Sequence, residues 1–497
     1  MKNRSHSWFK SLCYWLNMPG YFTISFLLIF IIFLIFDWFV ASSLRAAQID
    51  RYILFSLAET SRLIYAENAL RNPLVFLNPN AKPIYSMISA GFIYIIPLGL
   101  FSLKVLNSIF SVGILVILYK LIKKIGYSDF TAAVAILLVL TFPLFFLLSI
   151  SASPEILFCF TLVLAFHCFY LEKYLSSVLL VSLLPLIRQE GVLYIFIMLF
   201  LLLKEKKIYY AFILPVPLLI WVFLNFFLLG HPLIYPFFVS VALPGPTSPS
   251  SIMPLAELKN FIPAIFLHPL FFLFPFGFIL MLSKKRCFPI TISLVCFGIF
   301  FIISAGIQFL ILKQVSYAFR YIVPLVPFMA FIIAGMFNNH VLSKKLKIIV
   351  IIFMAVILTG VLINRITALQ KQPRVIAESI TVKQEEEIDE AVVWLKVYIK
   401  ETGIQHVFYS GDMNDNKIIR RLRAYLANSI TMYPVKEFKE VYDPITFKII
   451  EEEFYNSALT GLVLLIDPEK EKNFILSKKI EFLKKFPDTP IYLYRKY

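Results

Sequence analysis

Charge is what this 497-residue sequence lacks most. Asp, Glu, Lys and Arg make up 15% of it against 60% hydrophobic residues, and mean hydropathy is +0.81. That leaves too little polar side chain to coat a soluble globule of this size, which excludes a water-soluble protein and requires several membrane spans. Acidic residues are scarcest before position 370, where only Asp37, Asp50, Glu59, Glu67, Asp129, Glu155, Glu172, Glu190, Glu205 and Glu257 occur; all the others follow Lys371. Cysteine is also sparse. Cys13, Cys159, Cys168, Cys287 and Cys296 lie in apolar runs or beside basic clusters, so neither a disulfide framework nor a metal-ligand spacing is readable. The region after Lys371 has no Gly-rich phosphate loop, and nucleotide binding there is unsupported.

What is present is apolar runs and basic clusters. The net charge of +17 lies in small groups between apolar runs rather than along one face, which is the pattern of topology signals and not of a nucleic-acid surface. The run from Tyr21 to Phe39 is too long for a signal-peptide core and lacks a small-residue cleavage pattern, so it reads as a retained first span. Windows of about 19 residues predict roughly eleven spans, near 21–41, 104–122, 131–149, 156–171, 175–187, 191–203, 209–229, 262–282, 288–311, 320–337 and 347–364. With this division, Lys2/Arg4/Lys10, Lys120/Lys123/Lys124, Lys173, Lys204/Lys206/Lys207, Lys284/Lys285/Arg286 and Lys344/Lys345/Lys347 all fall on one side. The expectation is a multi-pass cell-membrane protein with a cytoplasmic N terminus and, after an odd number of crossings, an extracytoplasmic tail.

Two domains follow: a transmembrane unit, residues 1–370, with a long first outer loop at about 42–103, and a charge-neutral unit, 371–497. In the tail, 385–401 has helical spacing and NKIIRRLRAYLA reads as a basic helix. HVFYS (406–410), GLVLLID (461–467) and PIYLYR (490–495) read as strands, with a further helix between the last two. The fold class is therefore a polytopic α-helical membrane protein with a small C-terminal extracytoplasmic α/β domain.

A carboxylate beside a bilayer is costly unless it is paired, solvated or functional. On the outer side of this topology the candidates are Glu59 and Glu67 in the helix-like stretch AETSRLIYAENAL, Glu155 at the start of a span, and Glu190. Asp50 and Glu257 read as solvated loop carboxylates. Lys82, Arg188 and Arg320 sit where outer loops meet spans, and fixed positive charge there is what a phosphate leaving group needs. Each also has a plainer reading. Lys82 can simply snorkel, Arg188 and Glu190 can satisfy each other, and Glu155 can just favour a helix N terminus.

Taken in order, an acidic helix start in a long first outer loop, Lys82-Pro83 opening the next helix, Glu155 at the next outer turn, Arg188-Gln-Glu190-Gly191, and Arg320-Tyr-Ile-Val-Pro-Leu-Val-Pro resemble the C-type membrane glycosyltransferases, in the branch of the protein O-mannosyltransferases and the lipid A aminoarabinose transferase. The resemblance implies transfer of a sugar from a polyprenyl-phosphate donor to a protein, lipid or polysaccharide acceptor outside the cytoplasm, by an inverting hexosyl- or pentosyltransferase. By the same likeness Glu59 holds the first-loop acid position, as general base, and Glu155 the second. Aligning on Ala66 to Leu70 puts the first acid at Ala58 or Glu59, and Asp50 is the alternative base. Lys82, with Arg188 or Arg320, would hold the donor phosphate, and Glu59 and Glu155 could share a divalent ion, Mg or Mn. Two rivals stay open: a transporter or flippase of a lipid-linked glycan, which would place ionisable groups such as His167, His268 or Asp37 near the midplane, and a sensor or scaffold whose tail binds a partner.

Overall fold

A computed structural model describes residues 62–70 in part, 73–77, 82–229, 268–312 apart from 283, 318–336, and the backbone of strands between 406 and 496. The windows at 21–41 and 347–364, and the predicted tail helices, lie almost wholly outside these residues, as do Asp37, Asp50 and Glu59.

Nine of the predicted windows overlap helices. In chain order these are α1 (Pro83–Ile95), α2 (Leu100–Ile125), α3 (Asp129–Thr141), α4 (Pro143–Ser149), α5 (Pro154–Tyr170), α6 (Tyr174–Ile187), α7 (Gly191–Lys204), α8 (Val216–Leu224), α9 (Pro269–Leu282), α10 (Phe288–Leu312) and α11 (Val326–Met336), α1 lying in the first predicted outer loop. A 3₁₀ turn, Ile208–Ile213, leads into α8, and another, Ala318–Leu325, leads into α11. Among the described residues Phe101–Ile125 and Ile208–Leu228 are apolar stretches long enough to cross a membrane, and most of the other helices are shorter. The shortening has a local cause, because proline removes a helical N–H and clashes with the preceding turn. Pro143 separates α3 from α4, with Phe142 in an extended conformation between them. At that break the Phe142 N–H turns to the Val139 carbonyl and the Thr141 hydroxyl donates to the Leu138 carbonyl at 3.1 Å; His268 Nε2 lies 2.9 Å from the same hydroxyl, and His268 Nδ1 accepts from the Leu270 N–H at 3.2 Å. His268 is thus a buried structural residue.

The outer surface of the bundle is apolar. Phe212 (79% exposed), Phe227 (74%), Ile279 (66%) and Phe196 (63%) point away from the core. A patch of that extent would drive aggregation in water and suits lipid tails instead. Within lipid, helices associate through close packing and small residues rather than through a hydrophobic driving force. Gly113 of α2 illustrates this, since a Cβ there would stand 2.6 Å from the Phe160 ring of α5. Helix α5 packs against both α2 and α6, and α11 against both α3 and α9.

Along α2, α5, α6 and α7 the charged side chains sort to two ends, and Lys82 falls with one of the two groups. Lys123 and Lys124 close α2, Lys173 follows α5, and Lys204 closes α7, whereas Lys82, Glu155 and Arg188 lie at the opposite ends of α1, α5 and α6.

Beyond the bundle the described backbone forms a seven-stranded sheet: β1 (His406–Ser410), β2 (Thr431–Lys436), β3 (Glu440–Tyr442), β4 (Ile449–Ile450), β5 (Gly461–Leu465), β6 (Ile480–Lys485) and β7 (Tyr492–Lys496), in the order β4-β3-β2-β1-β5-β7-β6. β1 is parallel to both β2 and β5, and the remaining pairs are antiparallel. Parallel neighbours need long crossovers. The segment between β5 and the terminal strand, where the sequence suggests a helix, contains β6 at Ile480–Lys485, and its residues 466–479 lie outside the described residues.

Candidate active site

The site begins with a proline and a serine. Ser153 caps α5 in an extended conformation and Pro154 opens the helix, a position where its missing N–H costs nothing. Glu155 follows in the first turn, close to the positive end of the helix. Its side chain is 1% exposed, and a lone carboxylate that deep would be neutralised or displaced. Glu155 is held by two partners: Ser153 Oγ donates to Oε2, and Arg188 Nη1 forms an ion pair with Oε1.

The turn before Glu155 is fixed from inside the bundle. Asn107, buried in α2, donates from Nδ2 to the carbonyls of Ser151 (2.5 Å) and Ser153 (2.8 Å), and Ser108 Oγ donates to the Ser149 carbonyl at 3.2 Å. These bonds satisfy carbonyls that the α4–α5 turn would otherwise leave unpaired in an apolar setting.

Arg188 arrives from the end of α6. Its guanidinium also meets Glu190, Nε to Oε2 at 3.1 Å and Nη2 to Oε1 at 3.0 Å, so one buried cation is shared by two carboxylates. Burial alone would push the Glu190 carboxyl up, but the Arg188 charge, its hydrogen bonds and the nearby Lys82 outweigh this and hold it below the ordinary range. The turn is tight: the Gly191 N–H bonds the Arg188 carbonyl at 2.9 Å, and a Cβ on Gly191 would stand 2.2 Å from the Leu184 carbonyl carbon. Only glycine fits there, and this explains the glycine of the Arg-x-Glu-Gly run.

Lys82 completes the cluster. It is the N-cap of α1 with φ 54° and ψ 78°, a left-handed backbone that a residue with a Cβ rarely adopts. Desolvation, then the charges of Arg62 and Arg188, lower its ammonium, while Glu190 and Glu155 act against them; the result is about 7. Lys82, Arg62, Arg188, Glu190 and Glu155 therefore occupy one electrostatic neighbourhood. The segment bearing Arg62 is anchored through Leu63, Ala66 and Ala69, which pack with Val75, Ala90 and Ala152. The neighbouring loop is tied down by the Trp221 indole, which donates to the Phe76 carbonyl at 2.9 Å.

Of the residues singled out in the sequence, Lys82, Glu155, Arg188 and Glu190 are thus brought together. Arg320 lies in the 3₁₀ turn Ala318–Leu325 that enters α11. Glu59 and Asp50 fall outside the described residues, Glu59 three positions before Arg62 in sequence. Arg62 and Asn107 were not singled out in the sequence. An amide in the middle of the apolar run KVLNSIF is the signal that could have found Asn107, because buried polar groups within spans need partners. Among the described residues no three His, Cys, Asp or Glu side chains converge, and Glu155 already has an arginine on one oxygen and a hydroxyl on the other. Glu59, the other residue expected to share a divalent ion with Glu155, lies outside the described residues.

Residues 79–184 match the family of dolichyl-phosphate-mannose-protein mannosyltransferases, a stretch that includes Lys82 and Glu155 and stops short of Arg188. Two crystal structures of ArnT from Cupriavidus metallidurans are similar along nearly the whole chain. The apo form has a TM-score of 0.56 at 12% identity, covering 92% of this chain and 97% of ArnT. The form bound to undecaprenyl phosphate has a TM-score of 0.57 at 11% identity, covering 94% and 97%. This is the C-type membrane glycosyltransferase fold. The likeness first read from Lys82-Pro83, Glu155 and the Arg188 and Arg320 motifs is therefore borne out. No curated protein matches the chain by sequence. Within this C-type fold the Lys82–Glu155–Arg188–Glu190 cluster gathers at one end of the helix bundle.

Proposed function

We propose that this protein transfers a hexosyl or pentosyl group from a polyprenyl-phosphate donor to a protein, lipid or polysaccharide acceptor on the extracytoplasmic side of the cell membrane. One observation carries the reading: on a C-type glycosyltransferase fold, a cation next to a helix start (Lys82) lies in electrostatic reach of a buried carboxylate (Glu155) that Arg188 and Ser153 orient. The ArnT structure bound to undecaprenyl phosphate supports a polyprenyl-phosphate donor.

In the proposed reaction the acceptor hydroxyl oxygen attacks the anomeric carbon as the bond from that carbon to the phosphate oxygen breaks. The electron pair leaves with the polyprenyl phosphate, and Lys82, with Arg320, stabilises the charge that develops there. Glu59 takes the acceptor proton as general base, a role that contributes roughly 10²- to 10⁴-fold. Glu155 orients the sugar. Direct displacement inverts the anomeric centre.

The test is to incubate the purified protein with radiolabelled polyprenyl-phosphate sugars and a membrane extract. Label should leave the lipid and appear on an acceptor. Label that crosses the bilayer while still attached to lipid would establish the flippase instead.

A further inference from the structure

The Glu155–Arg188–Glu190 triad raises a question of division of labour. A phosphate ligand needs donors that are free to face the incoming anion, yet Arg188 spends Nη1 on Glu155, and Nε and Nη2 on Glu190, while only 9% of its side chain is exposed. A two-pronged arginine–carboxylate contact fixes the plane of the guanidinium as well as its position. The plane is fixed again by the chain, because the tight Arg188–Gly191 turn sets where Arg188 and Glu190 leave the backbone. Across the gap, Glu155 is restrained from the other side by Ser153, whose carbonyl is held by Asn107. The result is one connected line of hydrogen bonds from the interior of α2, through the start of α5, to the α6–α7 turn.

We propose that Arg188, braced by Glu190, is a positioning residue for Glu155: it sets the direction and the ionised state of that carboxylate and does not bind the donor phosphate. The proposal rests on the glycosyl-transfer reading for its kinetic consequences but not for its structural ones. Among the described residues, those facing Glu155 include Arg188 and Ser153, with Lys82 in electrostatic reach and Glu190 on the far side of the guanidinium; Arg62 lies near Lys82. If the guanidinium is removed, two carboxylates remain beside one lysine whose ammonium is already disfavoured. Like charges in a desolvated site cannot both stay ionised, so one carboxyl takes up a proton.

The test uses the purified full-length protein and Arg188→Met, which keeps much of the volume. Infrared spectra at neutral pH should show a carboxylic-acid carbonyl band in Arg188→Met that is absent from the parent and lost again in Arg188→Met/Glu155→Gln. In transfer assays Arg188→Met should lower kcat by about 10²-fold, as misplacement of an oriented group does, with the donor KM within about twofold of the parent. Arg188→Lys, which restores the charge without the fork, should abolish the band and recover part of kcat. Should Arg188→Met fail to fold, Glu190→Gln serves in its place: it leaves the Glu155 ion pair intact, frees the guanidinium plane, and should lower kcat several-fold with donor KM unchanged. A large rise in donor KM with kcat and the infrared spectrum unchanged, in either variant, would overturn the proposal and make Arg188 a phosphate ligand. The band appearing in a protein that moves no label would uphold the positioning network and reject the glycosyl-transfer reading.

Discussion

Arg188 and Glu190 are joined by two parallel hydrogen bonds, of 3.1 and 3.0 Å, across a single intervening residue. On a helix, side chains two apart do not face one another. They do so here because the chain turns back on Leu184 and Pro185 at a glycine.

That glycine gives a direct structural prediction. Gly191→Ala forces a methyl group against backbone atoms of Leu184 and Pro185 that cannot move aside as a flexible side chain would. Thermal unfolding in detergent should show a loss of about 1–3 kcal/mol, and transfer should fall with it. Gly91→Ala is the contrast. Nothing lies within 4 Å of its added methyl on α1, so it should be neutral or raise stability by up to about 1 kcal/mol.

Donor affinity should depend on pH through Lys82. With its ammonium lowered to about 7, the free site holds mostly the neutral amine above that pH. A donor anion favours the charged form, so binding above about pH 7 takes up a proton, and affinity falls as pH rises, at most about tenfold per unit. Below about 7 this residue contributes no dependence. Titration of a polyprenyl-phosphate sugar, whose diester does not ionise in this range, should show the decline, and Lys82→Arg should flatten it. An affinity independent of pH in the parent would remove Lys82 from the phosphate site.

Glu59→Gln keeps the size of the proposed base but not its basicity. Transfer should drop by about two orders of magnitude or more while donor binding persists. If activity is retained, Asp50 becomes the next position to test.

The expected topology can be checked independently of catalysis. A reporter that is active only in the cytoplasm, fused after Tyr497, should be silent if the one-sided lysine clusters and the odd span count expected from the sequence hold. Activity there would change the span count by one and put the candidate site on the wrong face.

Much of the bundle was legible because long apolar runs leave few alternatives in lipid. Its interruptions were less so. The 131–149 window reads as one span, yet Pro143 divides it, and nothing in the sequence alone shows that the Thr141 hydroxyl, itself in contact with His268, takes up the Leu138 carbonyl at the broken turn. In the tail, β1, β5 and β7 are apolar enough to recognise. β2 carries Pro434, which argues against a strand; it is tolerated because at that position β2 pairs with β1 alone, β3 joining only from Val435. β6, IEFLKK, has a lysine-rich end that reads as a helix surface, and only its pairing with β7 makes it a strand. At the site, Lys82, Glu155, Arg188 and Glu190 were each visible as polar residues near span ends. That one arginine serves two carboxylates was not visible, because it depends on a side chain approaching from another helix.

The backbone of Lys82 has a further consequence. A left-handed residue directly ahead of proline is a place where glycine would be the relaxed choice. The protein therefore contains its own internal control. Lys82→Gly removes the ammonium and relieves the backbone together, whereas Lys82→Ala removes the ammonium and leaves the backbone as it was. If the glycine variant melts higher than the alanine variant while both lose donor affinity equally, the conformational cost at this position and the electrostatic gain from the side chain can be read as two separate quantities at a single residue.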